Sequence, residues 1–240
     1  MGAIEHFSFD SWNEFKSEII PDLFSDNIFR EGKFLFRGHR SSEWQLISCY
    51  DRFKYKHDKF SNLIDIFKTE CQSLDIEQKI IDNDKYLIAF AQHHGIPTRL
   101  LDWSNSPYIA SFFAFSDYIS NDGDLVDNIS IWVLNTECGI WSHDLGVEII
   151  KIPHIGNIRI RNQNGCFTLS NTPFKCLEEY VDYLSSQCNG WALREYTIPS
   201  EEYLKAISDL DSMGINWSRI FPGIEGSAAS SFVKWRCQNN

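Results

Sequence analysis

The sequence contains no long apolar run, and no stretch approaches the roughly 20 consecutive apolar residues that a membrane-spanning helix needs. It is also poor in positive charge, with 22 lysines and arginines against 33 aspartates and glutamates and a net charge of −11. Proteins that wrap duplex DNA without sequence preference need a dense cationic surface to displace counterions from the phosphates. We therefore expect no membrane anchor and no non-specific duplex DNA binding, although a local cationic pocket is compatible with this charge.

Several short motifs of enzyme chemistry are also missing. The sequence has no Walker phosphate loop, no G-x-G-x-x-G turn, and no G-x-S-x-G elbow around Ser104. Its seven cysteines are odd in number, form no C-x-x-C pair, and follow no secretory leader. These absences disfavour P-loop, dinucleotide-fold and acyl-transfer chemistry, and they predict reduced thiols in a cytoplasmic protein.

The composition that is present is typical of one globular domain, with 240 residues, 43% hydrophobic and 15% aromatic. Ser11 and Glu14 have the spacing of a capping box and predict a helix that ends near Pro21. Further along the chain, β-branched or aromatic runs alternate with segments of helical periodicity. We predict an α+β fold formed by a single domain over residues 1–240, with a mixed sheet core and surrounding helices. The pattern leaves the strand order open.

The densest group of reactive side chains lies in residues 92–104. Because burying an unpaired charge is costly, Arg99 and Asp102 should either pair with each other or face a wet cleft. Both alternatives stay open at this point. The candidate ligand-binding residues of this segment are Gln92, His93, His94, Thr98, Arg99 and Asp102.

A metal site formed by His93, His94 and Asp102 would allow metal-dependent phosphodiester hydrolysis, and it is the least favoured alternative. Adjacent residues on a helix point about 100° apart, which does not suit two ligands of one ion. One histidine capping the helix end and the other at a pocket rim is the more common arrangement. We expect no metal.

Arginines are the remaining candidates for ligand recognition. They fall at predicted strand ends and turns, and guanidinium groups suit phosphate and carboxylate oxygens. Several of them near one cleft would select an anionic small molecule, whereas the alternative is that each pairs with a carboxylate on the surface. These arginines are Arg37, Arg40, Arg99, Arg159 and Arg161.

Four segments of the sequence contain the residues of known motifs. F-R-G-H at 36–39, with Trp44 and Leu46, resembles the opening motif of the FRG domain family. Q-H-H-G-I-P-T-R-L-L-D-W-S at 92–104 is similar to its central signature. The R-N-Q-N-G-C-F segment at 161–167 and the I-F-P-G-I-E-G segment at 220–226, together with Ile198-Pro199, resemble its later motifs. The resemblance spans about residues 30–230.

Arg37, then Ser104 before the helix predicted from Pro107, then Gln163 before Gly165 and Phe167, follow one another along the chain. This order resembles the motif order of ADP-ribosyltransferases. It implies an ADP-ribosyltransferase-like sheet, NAD as substrate, and transfer to a macromolecular acceptor by a toxin or phage-defence effector. It also implies catalytic roles for Arg37, Ser104 and Gln163. Arg37 would hold the pyrophosphate or ribose, Ser104 with Asp102 the nicotinamide-side ribose, and Gln163 a ribose hydroxyl as the glycosidic bond breaks. An amide at Gln163 in place of the usual carboxylate cannot act as a base, which implies slow or absent transfer.

The alternative function is a non-catalytic module that binds a phosphorylated ligand or a nucleic-acid end through the same arginines. Glu225 could line the cleft or be a favourable charge in the first turn of a helix. For the transfer function we expect a nucleotide as the small-molecule partner. The candidate ligand-binding residues outside the central segment are Gly38, His39, Arg161, Phe167 and Glu225.

Overall fold

The computed structural model describes residues 2–25, 28–53, 59–120, 126–152 and 165–239. The strands in these residues are β1 (Ile4–Ser8), β2 (Phe24–Ser25), β3 (Ile28–Phe29), β4 (Phe34–His39), β5 (Leu100–Ser104), β6 (Asn128–Asn135), β7 (Val147–Ile150), β8 (Gly165–Ser170) and β9 (Leu193–Pro199). The α-helices are α1 (Trp12–Leu23), α2 (Cys49–Arg52), α3 (Phe60–Glu70), α4 (Gln78–Ile81), α5 (Asp84–His93), α6 (Pro107–Ser120), α7 (Leu177–Tyr183), α8 (Tyr203–Ser212), α9 (Trp217–Ile220) and α10 (Ile224–Asn239). No helix in this part of the chain is both long enough and apolar enough to cross a bilayer.

Seven strands form one sheet in the order β1-β9-β6-β4-β5-β8-β7. β1 pairs with β9 in parallel, and the other neighbouring strands are antiparallel. The mixed sheet surrounded by helices confirms the α+β prediction. The sequence did not predict β1, because its residues are exposed or half-buried and show no apolar alternation.

The N-terminal helix forms as its capping box predicts. The main-chain N–H of Glu14 donates to Ser11 Oγ at 3.2 Å, and the Glu14 carboxylate accepts from the main-chain N–H of Asp10 at 2.7 Å. The helix continues two residues beyond Pro21, to Leu23. Its inner face is fully buried in the core, where Trp12 and Phe15 have no exposed surface.

Helices cover both faces of the sheet. On one face, α1 and α6 pack over Phe36 and its neighbours in β6 and β9, and α3 and α5 pack over Leu100 and Phe167. On the other face, α7 packs over a cluster that includes Leu35 and Trp103. Successive strand residues therefore pack into cores on opposite faces of the sheet, as the alternation of side chains along a strand requires.

The sheet is opened between its two central strands. β4 and β5 are paired in register only at Phe36 and Ser104, whereas β4 pairs with β6 along its whole length and β5 does so with β8. Gly38 and Asp102, which a regular antiparallel ladder would place opposite each other, are not paired. The gap that follows from this positions the candidate site.

Candidate functional site

A cleft with two neighbouring chambers, which share lining residues, lies where β4 and β5 separate. The first, here called the strand chamber, has a volume of about 480 Å³ and lies between the two strands and α6. The second, the arginine chamber, has a volume of about 530 Å³ and lies beyond the end of β4. Arg37, Gly38 and Asp117 line both chambers. Each volume falls in the range of about 300–1,000 Å³ that is usual for small-molecule pockets.

The two chambers differ in their lining. Aromatic and small polar groups line the strand chamber, which suits a flat ring or a sugar. Cationic groups dominate the arginine chamber, which suits an anion. The strand chamber includes Phe36, Asp102, Ser104, Ala110, Phe113 and Trp217. The arginine chamber includes His39, Arg40, Glu43, Trp44, Gln45 and Arg52.

Arg37 is fixed at the junction of the chambers. Its Nη1 donates to the main-chain carbonyl of Asp102 at 2.9 Å, and its Nε donates to His39 Nε2 at 3.1 Å. The Asp102 carboxylate lies 3.7 Å from Nη1. Burial lowers the pKa of Arg37, and the nearby Arg52 acts in the same direction. A guanidinium starts from so high a pKa that it stays charged, so Arg37 is an immobile cation in the gap between the strands.

His39 is the neutral partner that orients Arg37. Because Nε2 accepts from Arg37, the ring proton must lie on Nδ1, which is 3.2 Å from the carbonyl of Trp44 and donates to it. Only 7% of His39 is exposed, and burial together with the Arg37 charge lowers its pKa to about 3. His39 therefore adds no charge to the arginine chamber near neutral pH.

The neutral state of His39 predicts a pH dependence of stability. Its folded pKa of about 3 lies below the ordinary value of 6.5, so the unfolded chain takes up a proton first as the pH falls. The unfolding free energy should therefore decrease as the pH drops below 6.5, the ordinary pKa of histidine. Between about pH 7 and about pH 5 we expect the unaltered protein to lose about 2 kcal/mol more than a His39→Gln variant.

Urea unfolding of both proteins at each pH measures this difference. Glutamine keeps an acceptor for Arg37 but does not titrate, which makes His39→Gln the appropriate reference. Equal pH dependence in the two proteins would contradict the assignment of a buried, neutral His39.

Asp102 is held on the wall of the strand chamber by a chain of hydrogen bonds. Gln92 Nε2 donates to its carboxylate at 2.8 Å, and the buried Thr98 hydroxyl donates to the Gln92 carbonyl oxygen. Desolvation by the surrounding protein raises the pKa of Asp102, and Arg37 and Gln92 oppose the rise. Because 57% of its side chain is open to solvent, we expect this rise to be small. Gln92 and Thr98 thus act on the cleft through Asp102.

Ser104 closes the inner end of the same wall. It lies opposite Phe36 of β4 and opposite Gly165 of β8, so both strand pairings fix its backbone. Its Oγ accepts from the main-chain N–H of Ser106 at 3.1 Å, and only 5% of the residue is exposed. The hydroxyl therefore has a defined position at the bottom of the strand chamber.

Arg99 lies in a buried ion pair and is not among the residues that line the two chambers. Its Nε is 3.2 Å from the carboxylate of Asp51, and its Nη2 donates to the carbonyl of Thr172 at 2.6 Å. The Asp51 carboxylate also accepts from the Ser48 hydroxyl at 2.7 Å at the start of α2, so the Arg99–Asp51 pair ties α2 to the residue that precedes β5. Arg99 therefore forms an internal tie with Asp51, while Asp102 pairs with Arg37 and faces the cleft.

The other residues predicted from the sequence, where the structure describes them, are not among those that line the two chambers. His93 and His94 are exposed at the end of α5, and Phe167 is buried in the core beneath α3 and α5, opposite Asp102 in the strand register. Glu225 is exposed in the first turn of α10, where a negative charge is favourable. The described residues contain no cluster of three or more potential metal ligands. Gln163, Arg159 and Arg161 lie outside the described residues.

Several residues of the cleft were not predicted from the sequence. Trp217 and Phe113 line the strand chamber, and Arg52 and Asp117 line the arginine chamber. Trp217 comes from α9, more than a hundred residues after β5, and no local pattern points to it. For Arg52 the sequence holds only a weak signal, which is the helix-capping residue Ser48 four positions before it.

Residues 32–123 match the family model of the FRG domain. The chain contains an FRG domain. The matched part of the FRG domain includes β4, β5 and α6, and hence both walls of the strand chamber. Comparison with curated proteins and with solved structures found no significant match. The match ends before residues 161–167 and 220–226, so the resemblance of those segments to the later FRG motifs stays a prediction.

Proposed function

We propose that this FRG domain binds an NAD-like nucleotide in the cleft and transfers ADP-ribose from it to a macromolecule. The observation that carries the proposal is the position of the Arg37 guanidinium, which is fixed between the separated strands and reaches both chambers. A dinucleotide has phosphates in its middle and a sugar with a ring on each side. A cation at the junction of two chambers fits that order of groups.

The strand chamber is suited to the nicotinamide ribose. Asp102 offers carboxylate oxygens to ribose hydroxyls, and Ser104 offers a fixed hydroxyl at the bottom of the same chamber. Phe113 and Trp217 supply aromatic surface for a flat ring. Gln163 keeps its role from the resemblance, as a hydrogen-bond partner of a ribose hydroxyl.

The proposed reaction breaks the bond between the ribose anomeric carbon and the nicotinamide nitrogen. The bonding electrons go to the nicotinamide ring, which loses its positive charge, and the ribose acquires oxocarbenium character. A nucleophilic oxygen or nitrogen of the acceptor then bonds to the anomeric carbon and loses its proton to solvent. The Asp102 carboxylate lines the chamber where this positive charge would develop, and fixed charges of that kind stabilise such a state. A role as a toxin or phage-defence effector in the cytoplasm is part of the same proposal.

Nicotinamide release from labelled NAD tests the reaction. We expect a Ser104→Ala variant to release nicotinamide at least about 10-fold more slowly, because a lost transition-state hydrogen bond commonly costs that much. Ser231→Ala is the matched control, since Ser231 is exposed on α10 and its hydroxyl donates to the Ser227 carbonyl of the same helix. The labelled ADP-ribose should appear on a macromolecule that is present in the assay. NAD binding without any nicotinamide release would refute the transfer step.

That outcome would favour the second candidate, a non-catalytic nucleotide-binding module. The amide of Gln163, in the place where transferases carry a carboxylate, is the feature that favours it. Under this function Arg37→Ala weakens nucleotide binding, whereas Gln163→Ala has little effect on it. Under the transfer function, Gln163→Ala also slows nicotinamide release.

A further inference from the structure

The arginine chamber concentrates positive charge in an acidic protein. Arg37, Arg40 and Arg52 contribute guanidinium groups to its walls, against the carboxylates of Glu43 and Asp117. Arg40 Nε lies 3.8 Å from the Asp117 carboxylate, so part of the charge is neutralised within the wall. Since the chain as a whole carries a net charge of −11, this local excess of guanidinium groups favours an anionic ligand.

Arg37 and Arg52 line the same chamber, so their charges interact. Burial is the main cause of the lowered pKa of Arg37 and of His39, and the charge of Arg52 acts in the same direction. Neighbouring guanidinium groups repel each other unless an anion lies between them. Two adjacent phosphate groups would supply charge to both arginines at once.

An aromatic ring borders the same chamber. The Trp44 indole keeps 39% of its surface exposed, and the Arg40 guanidinium lies over the ring at 4.7 Å from the centroid. Nucleic-acid bases stack readily on exposed aromatic rings and on guanidinium planes. Trp44 and Arg40 therefore form a surface on which a purine ring can stack next to the phosphates.

We propose that the arginine chamber binds the diphosphate and the purine ring of the nucleotide. Arg37 and Arg52 hold the phosphate oxygens, and Trp44 stacks with the purine. This inference rests on the proposed function for the identity of the ligand as a nucleotide. It assigns an orientation to the bound nucleotide, with the reacting ribose in the strand chamber and the adenosine half in the arginine chamber.

Calorimetric titrations with three probes test this assignment: inorganic pyrophosphate, ADP and nicotinamide mononucleotide. We expect Arg52→Ala to weaken both pyrophosphate and ADP by roughly tenfold or more, because it removes a charge-assisted contact. We expect Trp44→Ala to weaken ADP by roughly tenfold and to leave pyrophosphate unchanged, because only ADP has a ring to stack. Arg30→Ala is the matched control, since Arg30 is exposed and is not among the residues that line the chambers.

The outcomes separate this inference from the proposed function. If ADP binds with the expected dependence on Arg52 and Trp44 but NAD is not cleaved and nicotinamide mononucleotide does not bind, the inference holds and the transfer function fails. If ADP and pyrophosphate bind equally to the unaltered protein and to Arg52→Ala, the inference is wrong. Absence of ADP and pyrophosphate binding to the unaltered protein at millimolar concentration overturns it as well.

Discussion

A Gly38→Ala variant will lose about 3 kcal/mol or more of unfolding free energy. Gly38 lies on β4 where α6 packs against the sheet. A Cβ atom at this position would lie 2.0 Å from the main-chain carbonyl oxygen of Ala110 and 2.9 Å from its carbonyl carbon. Backbone atoms in a packed helix cannot move aside as a flexible side chain can. The helix would have to shift away from the strand, and the strand chamber would lose its shape.

Gly190→Ala separates this steric effect from the general cost of replacing a glycine. Gly190 has a φ of +83°, and a Cβ atom at this position would meet nothing within 4 Å, so its replacement costs only the backbone strain, about 1–2 kcal/mol. Urea unfolding measures both variants against the unaltered protein. A Gly38→Ala protein as stable as Gly190→Ala, or more stable, would show that α6 does not lie directly against β4.

Replacing Arg99 with methionine should be as damaging, although Arg99 is outside the cleft. Its side chain and that of Asp51 are only 5% and 4% exposed, so the substitution removes a cation that lies 3.2 Å from a buried carboxylate. Breaking a buried pair in this way costs about 3–5 kcal/mol. The tie between α2 and β5 would also loosen, and with it the segment that carries Arg52.

The double variant Arg99→Met/Asp51→Asn tests the electrostatic cause. Asparagine is neutral and keeps an oxygen that can accept from the Ser48 hydroxyl. We expect it to recover about 2 kcal/mol of the loss caused by Arg99→Met alone, because the buried negative charge that Arg99 balanced is removed. If the two substitutions add without recovery, the loss comes from packing and the ion pair is not its cause.

Local patterns predicted much of the fold. The capping box of α1 and the alternation of β-branched or aromatic runs with helical periodicity each depend on residues close together in the sequence. β1 could not be predicted, because it is held by parallel pairing with β9, a strand almost two hundred residues away. Its own residues bury no apolar face that would reveal it.

The sequence pointed to Arg37, Asp102 and Ser104, which line the cleft, but not to how their side chains pair. Arg99 and Asp102 are three positions apart on an extended segment, so their side chains point to opposite faces of the sheet and cannot pair. Their partners, Asp51 and Arg37, come from parts of the chain that only the sheet order brings near. The separation of β4 from β5, which creates the cleft, leaves no local signal in either strand.

The affinity of the protein for ADP-ribose, measured by calorimetry with and without Arg37→Ala, is the most direct test of the cleft as a nucleotide site. We expect micromolar to millimolar binding that falls by roughly 100-fold in the variant, since a charge-assisted contact to phosphate from the half-buried Arg37 is lost. Arg30→Ala should bind as the unaltered protein does. Equal affinity in the Arg37→Ala variant, or no binding to the unaltered protein, would contradict the assignment.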